Sequence, residues 1–400
     1  MEEQLWKACS DGNVEEVIKL LQNEEININW QDSEHSRTPF YRACGYSGTI
    51  EIVKLLLNDN RVDINQGTND GWTPFHIACY EGHIEIVKLL LNDIRIDINK
   101  GNSYYQTPFY NACKKGHIEI VKLFLNDERV EINQAPNDKT PFYIACQKGH
   151  IEIVKLLLND NRVDTNKADS YGATPLYLFC EKGHIEIVKL LLTDNRIDIN
   201  IANSDGETPF YIACQYGHIE ILKLLLNDNS IDTNKANNYG ATPLSIACYY
   251  GHIEIVKLLL NDKRIDINKA NNYGATPFYV ACYEGHIEIV KYLFACERGI
   301  DINNKDCDGK TGLDWARERE KMDEDWENEE KVQERKRGCA KIVKLIESFE
   351  RNPNETRLQL RLQLGLAGKS FFFFNFIMIK FFLKSYLYFK IRMLFLFFRW

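Results

Sequence analysis

The chain has 400 residues, of which 44% are hydrophobic and 26% are charged. This balance excludes wholesale disorder and collagen-like structure. The formal net charge is −8, but residues from Thr356 to Trp400 contain eight Lys or Arg and no Asp or Glu, so the first 355 residues carry −16 (−8 minus +8). Such an acidic body argues against broad nucleic-acid binding.

The first residues, from Met1 to Trp6, include neither the basic nor the apolar stretch of a secretory signal. We therefore expect a cytoplasmic protein. The twelve cysteines of such a chain are expected to be reduced thiols rather than a disulfide framework.

A repeat of about 34 residues then runs along the chain. A Thr followed by Pro recurs at intervals of 33 to 35 residues: Thr38, Thr73, Thr107, Thr140, Thr174, Thr208, Thr242 and Thr276. Thr311-Gly312 is an altered ninth copy, and a degenerate unit precedes them all. The pattern predicts about ten repeats over residues 1–349, the first at 1–32 and the last at 306–349, stacked as a solenoid.

Each unit predicts two helices. In the unit that begins at Thr73, the threonine suits the N-cap and Pro74 suits the first helical position, where a missing N–H costs nothing. Gly82 can adopt a positive φ and close this helix. The apolar run from Ile84 to Leu91 then predicts a second helix with more apolar surface than one unit can bury. The fold class is therefore all-α.

The repeated motif T-P-[FL]-Y-x-A-C-x-x-G-H-I-E-I-V-K-L-L-L closely resembles the ankyrin repeat, and the resemblance covers residues 1–349. It implies an ankyrin-repeat solenoid, in which helix-turn-helix units are joined by β-hairpin-like turns, here called finger turns. It also implies a non-enzymatic adaptor or scaffold that binds a protein partner on the concave face, which finger turns and first helices form.

Three departures from the family pattern carry expectations. The family's His after T-P-L is retained at His76, whereas most copies have Tyr, whose hydroxyl is expected to substitute in holding the turn. Phe179 replaces a small Ala and is expected to shift the local packing. The finger glycine is missing at Ser36, Tyr105 and Asp138, and these three turns are expected to differ from the others.

Cysteine and histidine each recur once per repeat, at positions that form ladders. The cysteines are Cys9, Cys44, Cys79, Cys113, Cys146, Cys180, Cys214, Cys248 and Cys282, and the histidines are His83, His117, His150, His184, His218, His252 and His286. Rungs about 10 Å apart cannot form disulfides or converge on one metal. With no metal-binding, nucleophile or phosphate-loop motif present, we expect no catalytic residue, cofactor or metal.

The candidate partner-binding residues lie in the finger turns and directly after the cysteines, where the repeats differ most. They are Trp72, Tyr80, Tyr104, Lys114, Lys115, Lys148, Tyr171, Lys182, Tyr216, Tyr239, Tyr249, Tyr250, Tyr273 and Tyr283. The lysines suit an acidic segment of a partner, and the aromatic residues suit apolar anchors. The alternative is that these positions are solvated and vary without constraint. We expect a monomeric solenoid.

The last repeat contains 18 extra residues. This insertion, at 319–337, mixes charges of both signs and predicts a solvated helical extension or a flexible loop. Residues 339–349 then resume the second helix, and residues 350–370 are expected to form a basic linker.

The tail, residues 371–400, contains 11 of the 21 phenylalanines, interleaved with Lys and Arg. Three interpretations remain open. Its length suits a membrane anchor or an interfacial segment, although two central lysines make spanning marginal. Its composition also matches translated A/T-rich noncoding DNA, that is, a gene-model error. It also suits a helix that packs on a partner. The alternative hypothesis is therefore a membrane-tethered adaptor, anchored by this C-terminal tail. The corresponding alternative localisation is association with a membrane.

Overall fold

The computed structural model describes residues 1–45, 50–134, 136–322 and 328–366. Within these ranges the chain folds into α-helices and one short 3-10 helix, Pro136–Asp138, joined by turns. The β-type pairing of these residues consists of a single bridge between Lys305 and Thr311. The all-α prediction is therefore confirmed. The helices belong to two compact units, Met1–Asp232 and Thr233–Trp400.

The first unit consists of paired helices. They are α1 Glu2–Asp11, α2 Val14–Leu21, α3 Pro39–Gly45, α4 Ile50–Leu57, α5 Pro74–Glu81, α6 Ile84–Leu91, α7 Pro108–Lys115, α8 Ile118–Leu125, α9 Pro141–Gln147, α10 Ile151–Leu158, α11 Pro175–Lys182, α12 Ile185–Leu191, α13 Pro209–Tyr216 and α14 Ile219–Leu226. The first helix of each pair packs on the first helix of the next, and second helices pack likewise on one another. This arrangement is the predicted solenoid.

The second unit continues the pattern and ends in longer helices. They are α15 Pro243–Tyr249, α16 Ile253–Asn261, α17 Pro277–Tyr283, α18 Ile287–Ala295, α19 Gly312–Arg319, α20 Glu329–Arg351 and α21 Pro353–Gln363. Here α15, α17 and α19 form the row of first helices, while α18 packs on both α20 and α21.

Threonine begins the first helices as the sequence predicts. Thr73 has an extended backbone, with φ −82° and ψ 165°, and its hydroxyl accepts a hydrogen bond from the N–H of His76. Pro74 occupies the first helical turn, and Gly82 ends the helix with φ 85°. An N-cap threonine contributes about 1 kcal/mol to helix stability, so these local signals fix where each first helix starts and stops.

The cysteine ladder lies in the core. Each of its nine thiols is free and buried, and burial raises the pKa of Cys9 to about 12 and that of Cys44 well above its usual range. A thiol that is hard to ionise is neither a good nucleophile nor a good metal ligand. The cysteines serve as small buried hydrophobic residues, as predicted.

Polar side chains connect each repeat to the next through backbone groups. Asn65 donates from Nδ2 to the carbonyl of Arg95 at 2.7 Å, and its Oδ1 accepts from the N–H of Asp97 at 3.0 Å. Arg95 in turn donates to the carbonyl of Leu57 at 2.9 Å and forms an ion pair with Asp93 at 2.6 Å. Because corresponding bonds recur along the first unit, they set the register between neighbouring repeats.

The residues that follow Thr-Pro hold the finger turns. His76 donates from Nε2 to the carbonyl of Gln106, in the next finger turn, at 2.9 Å, and burial lowers its pKa to about 4. Three tyrosine hydroxyls donate to a carboxylate of the next finger turn: Tyr143 to Asp169 (3.1 Å), Tyr177 to Glu207 (2.9 Å) and Tyr279 to Asp306 (2.5 Å). The expectation that a tyrosine hydroxyl substitutes for histidine is therefore confirmed at these positions.

The three finger turns without glycine keep the left-handed backbone. Ser36, Tyr105 and Asp138 have φ of 56°, 59° and 61°, whereas Gly71 in an ordinary finger turn has φ 75°. The expectation that these turns differ was wrong for the left-handed conformation, which the hydrogen bonds of the turn stabilise. Asn102, for example, accepts from the N–H of Gln106 at 3.0 Å. The expectation holds at Asp138, where Pro136–Asp138 form a short 3-10 helix.

We expect Tyr105→Gly to stabilise the protein by about 1 kcal/mol. A left-handed backbone costs a residue that has a Cβ roughly 1–2 kcal/mol, and glycine avoids this cost. Glycine also loses more conformational entropy on folding, which offsets part of the gain. The measurement is native-state hydrogen exchange of the α7 amides in the full chain. Tyr104→Gly is the matched control, because Tyr104 has no positive φ, and this variant should not stabilise. A loss of stability in Tyr105→Gly would show that the tyrosine ring itself stabilises the turn.

Three helices, α19, α20 and α21, form a cap at the end of the described part of the second unit, where α20 packs on both of the others. The N-terminal part of α20, residues 329–338, is here called the α20 arm, and it gives a helical form to the described part of the insertion. One side of the arm is packed rather than solvated, since Val332 is buried and Arg335 pairs with Glu284 at 3.3 Å. Residues 323–327 of the insertion lie outside the described residues.

The segment expected to be a basic linker, residues 350–370, is a packed helix over most of its described length. α21 lies on α18, where Arg357 donates to the carbonyl of Phe294 at 3.2 Å. The ring of Phe349 stacks on that of Phe294 with centroids 4.2 Å apart. The linker expectation fails here because arginines, which read as solvated charges in the sequence, bond the carbonyl groups at the end of α18.

Candidate partner-binding surface

The candidate residues of the first unit include an aromatic cluster in the third repeat. Trp72, in the finger turn, meets Tyr80, at the end of α5, edge to face with centroids 5.1 Å apart. The Nζ of Lys115 lies 3.9 Å from the centre of the Tyr80 ring. Trp72 and Tyr80 are therefore half-buried, and a cleft of about 310 Å³ opens beside them.

Other candidate residues of the first unit are more exposed. The exposed fraction of the side chain is 76% for Tyr171 and 57% for Tyr104, both at finger tips, and Tyr216 at the end of α13 is also exposed. Lys148 and Lys182 are exposed at the ends of α9 and α11, and Lys114 is half-buried. Finger turns and helix ends therefore present these side chains to solvent.

The described part of the second unit presents four exposed tyrosines. Tyr239 and Tyr273 occupy equivalent positions in consecutive finger turns, which are bonded to each other because the N–H of Asn272 donates to the carbonyl of Tyr239 at 3.0 Å. Tyr249 and Tyr250, at the end of α15, meet edge to face at 5.0 Å. These rings supply large contact areas at low cost in side-chain entropy.

Tyr283 is placed differently from the other candidates. The guanidinium of Arg319 lies 4.1 Å from the centre of its ring, and Trp315 meets it edge to face at 5.3 Å. Tyr283 is thus engaged by the first helix of the last repeat. This intramolecular contact leaves it the least available of the candidate tyrosines in the second unit.

The α20 arm borders a cleft that the sequence did not predict. Tyr249 and Tyr250 line one side of this space of about 370 Å³, and Lys331, Glu334 and Arg335 of the arm line the other. The only signal in the sequence was the insertion itself. Its position beside Tyr249 depends on the long-range pair between Arg335 and Glu284, which no local pattern encodes.

Most histidines of the Gly-His ladder bridge neighbouring repeats. Nε2 donates to a carbonyl of the preceding repeat at His83 (Gly45, 3.3 Å), His117 (Tyr80, 2.8 Å), His150 (Lys114, 3.1 Å), His218 (Glu181, 2.9 Å) and His286 (Tyr249, 3.0 Å). The predicted structural role is confirmed for these five. Each ring uses its Nε2 for a fixed backbone bond, so these imidazoles do not form a shared site.

Across the residues that the structure describes, no cluster of three or more His, Cys, Asp or Glu is arranged to hold a metal ion. In the same part of the chain, no helix combines the length and the apolar character needed to cross a bilayer. The hydrophobic tail at 371–400 lies outside the described residues, so its membrane role stays a prediction from the sequence.

Helix pairs stacked in register, with Thr-Pro caps and finger turns between them, define a helical repeat protein. The family model for ankyrin repeats matches residues 5–102, 94–169, 161–237 and 229–306. The chain therefore belongs to the ankyrin-repeat family, whose members are in general protein-interaction modules and typically lack enzymatic activity. A comparison with curated proteins gives no match.

Proposed function

We propose that this protein is a non-enzymatic adaptor or scaffold of the cytoplasm that binds a partner protein through its finger turns and first helices. The observation that carries the proposal is the set of exposed tyrosines at Tyr171, Tyr216, Tyr239, Tyr249 and Tyr250. Tyrosine rings supply large contact areas to a partner at low cost in side-chain entropy. They are held on a framework whose other positions repeat almost unchanged.

The two units offer different chemistry to this partner. In the first unit, Lys148 and Lys182 suit an acidic segment, and no ion pair engages either ammonium group within the described residues. In the second unit, Tyr239, Tyr249 and Tyr250 suit apolar anchors. We therefore propose a partner with an acidic segment and with apolar side chains. A monomer of this chain would bind it without nucleic acid or cofactor.

We expect replacing both Tyr249 and Tyr250 with alanine to weaken partner binding by at least about 2 kcal/mol, roughly 30-fold in Kd. The rings supply buried area that alanine cannot replace. The assay is fluorescence anisotropy with a peptide ligand selected by display against the full chain. The display selection uses only the unchanged protein as its target and includes no step that removes peptides able to bind the double variant. The selected peptide is therefore not chosen for dependence on these two tyrosines, and it can report on the whole surface.

Ile94→Ala is the matched control for this pair. Ile94 is 91% exposed, in the loop after α6, so the variant removes an exposed apolar side chain away from finger turns and first helices. Its affinity should stay within twofold of the unchanged protein. Equal affinities for all three proteins would contradict the proposal, and circular dichroism would establish that the double variant is folded.

A further inference from the structure

One junction of the first unit is built differently from the others. At Gly82, Gly116 and Gly183 an added Cβ would lie only 2.6–2.8 Å from the imidazole of the next repeat, because that ring packs over the turn. At Gly149 an added Cβ would have nothing within 4 Å. The imidazole that should cover Gly149 belongs to His184, so this ring has moved away from its ladder position.

Phe179 explains the displacement. Nine first helices have a buried Ala at this position, and α11 has a Phe that is itself fully buried. Its ring lies 5.9 Å from that of His184. α9 also packs less closely on α11 than α11 packs on α13. The larger side chain therefore widens the junction between α9 and α11, which confirms that Phe179 shifts the packing.

The widened junction leaves His184 with a free imidazole. In the described residues its ring makes no hydrogen bond, and it is the one exposed histidine of the Gly-His ladder. Lys148 directly precedes Gly149 on one side of the gap, and Lys182 lies two residues before His184 on the other. Both lysines are exposed. Two exposed lysines and an available imidazole N–H thus belong to the residues of this junction.

We propose that this junction is the site that receives an anionic group of the partner, a carboxylate or a phosphorylated side chain, held by Lys148, Lys182 and the N–H of His184. The inference rests on the proposed adaptor function and assigns the acidic part of the partner to one place. Charge-assisted hydrogen bonds from ammonium groups favour such ligands. The first 355 residues carry a net charge of −16, so the body of the protein repels anions. Binding of an anionic group at this junction would therefore not result from nonspecific attraction.

The test uses two fluorescein-labelled probes with the full chain at low salt: hexaglutamate, and a Gly-Ser peptide with one phosphoserine. Lys148→Glu combined with Lys182→Glu should weaken binding of the preferred probe at least tenfold. The control, Lys155→Glu combined with Lys189→Glu, makes the same charge change on the second helices of the same two repeats. It should change affinity less than twofold. Equal losses would overturn the proposal, and so would the absence of binding by either probe.

Two single variants test the geometry itself. His184→Ala removes an exposed ring and should weaken probe binding at least threefold, whereas His218→Ala removes a ring already bonded to the Glu181 carbonyl and should leave affinity unchanged. Phe179→Ala restores the residue of the other repeats and should weaken binding by letting the junction close. An unchanged affinity in His184→Ala would overturn the assignment. Because the probes are chemical fragments, this result is independent of the tyrosine variants that test the adaptor function.

Discussion

Asn111→Ile is expected to stabilise the first unit by about 2–4 kcal/mol. Asn111 lies in α7, is fully buried, and neither atom of its amide group finds a hydrogen-bond partner among the described residues. A buried amide without a partner costs about 1–3 kcal/mol, and burying an isoleucine side chain contributes about 1.5–3 kcal/mol more. The equivalent positions Ile77, Ile144 and Ile212 show that this column of the core accepts isoleucine.

Native-state hydrogen exchange is the suitable measurement, because unfolding of a long repeat array is not a single two-state event. Amides of α7 should exchange more slowly in Asn111→Ile, with an effect that declines over neighbouring repeats. The reciprocal variant Ile144→Asn introduces the same unpartnered amide into α9 and should destabilise by a similar amount. Exchange that is not slowed in Asn111→Ile would contradict the prediction and would mean that Asn111 has a partner such as a bound water.

The repeat framework could be predicted from the sequence because its causes are local. A threonine at the N-cap, a proline in the first turn and Gly82 at the C-cap act within one helix. Repetition then multiplies the signal, since each column of the motif is observed up to nine times. The solenoid itself followed because the second helices are too apolar to remain unpacked.

The missed features depend on contacts between distant residues. The sequence gave no reason to expect that Tyr105 keeps a left-handed backbone, because the neighbouring hydrogen bonds impose it. The arm of α20 folds back through Arg335, 51 positions after its partner Glu284. Asn111 went unnoticed although a polar residue in a column that is apolar from the fifth to the ninth repeat is a usable signal.

The candidate site was predicted in part. The exposed finger tyrosines, such as Tyr171 and Tyr239, could be named because finger tips of this family project from the stack. The exposure of the other candidates depends on contacts between side chains. Trp72 packs edge to face against Tyr80, and the guanidinium of Arg319 lies over the ring of Tyr283. Whether these positions bind a partner stays a prediction.

Arg196→Ala is expected to destabilise the junction between the fifth and sixth repeats by about 3 kcal/mol. Arg196 forms a bidentate ion pair with Asp194, at 3.0 and 2.6 Å, and donates to the carbonyls of Leu158 (2.6 Å) and Asp160 (3.1 Å) in the preceding repeat. Asp194 is 10% exposed, so removing the guanidinium leaves a largely buried carboxylate. Breaking a buried pair costs about 3–5 kcal/mol, and the 28% exposure of Arg196 places the effect at the lower end.

Hydrogen exchange of α10 and α12 measures this loss, with Lys189→Ala as the control. Lys189 forms an ion pair with Glu186 at 2.8 Å, but both side chains are about half exposed or more. Surface pairs of this kind contribute at most about 1 kcal/mol, so the control should be nearly neutral. A similar loss in both variants would show that α12 responds to any change of charge rather than to the bonds of Arg196.

The pH dependence distinguishes the ion pair from the carbonyl bonds. Hydrogen bonds from Arg196 lower the pKa of Asp194 below its ordinary value. A carboxylate with a lowered pKa in the folded state stabilises the protein above its unfolded-state pKa of about 3.9, and this contribution is lost as pH falls through the folded-state pKa. The difference in stability between the unchanged protein and Arg196→Ala should therefore narrow below about pH 4. The part that persists in acid belongs to the bonds with Leu158 and Asp160, which join the two repeats whether or not Asp194 is charged.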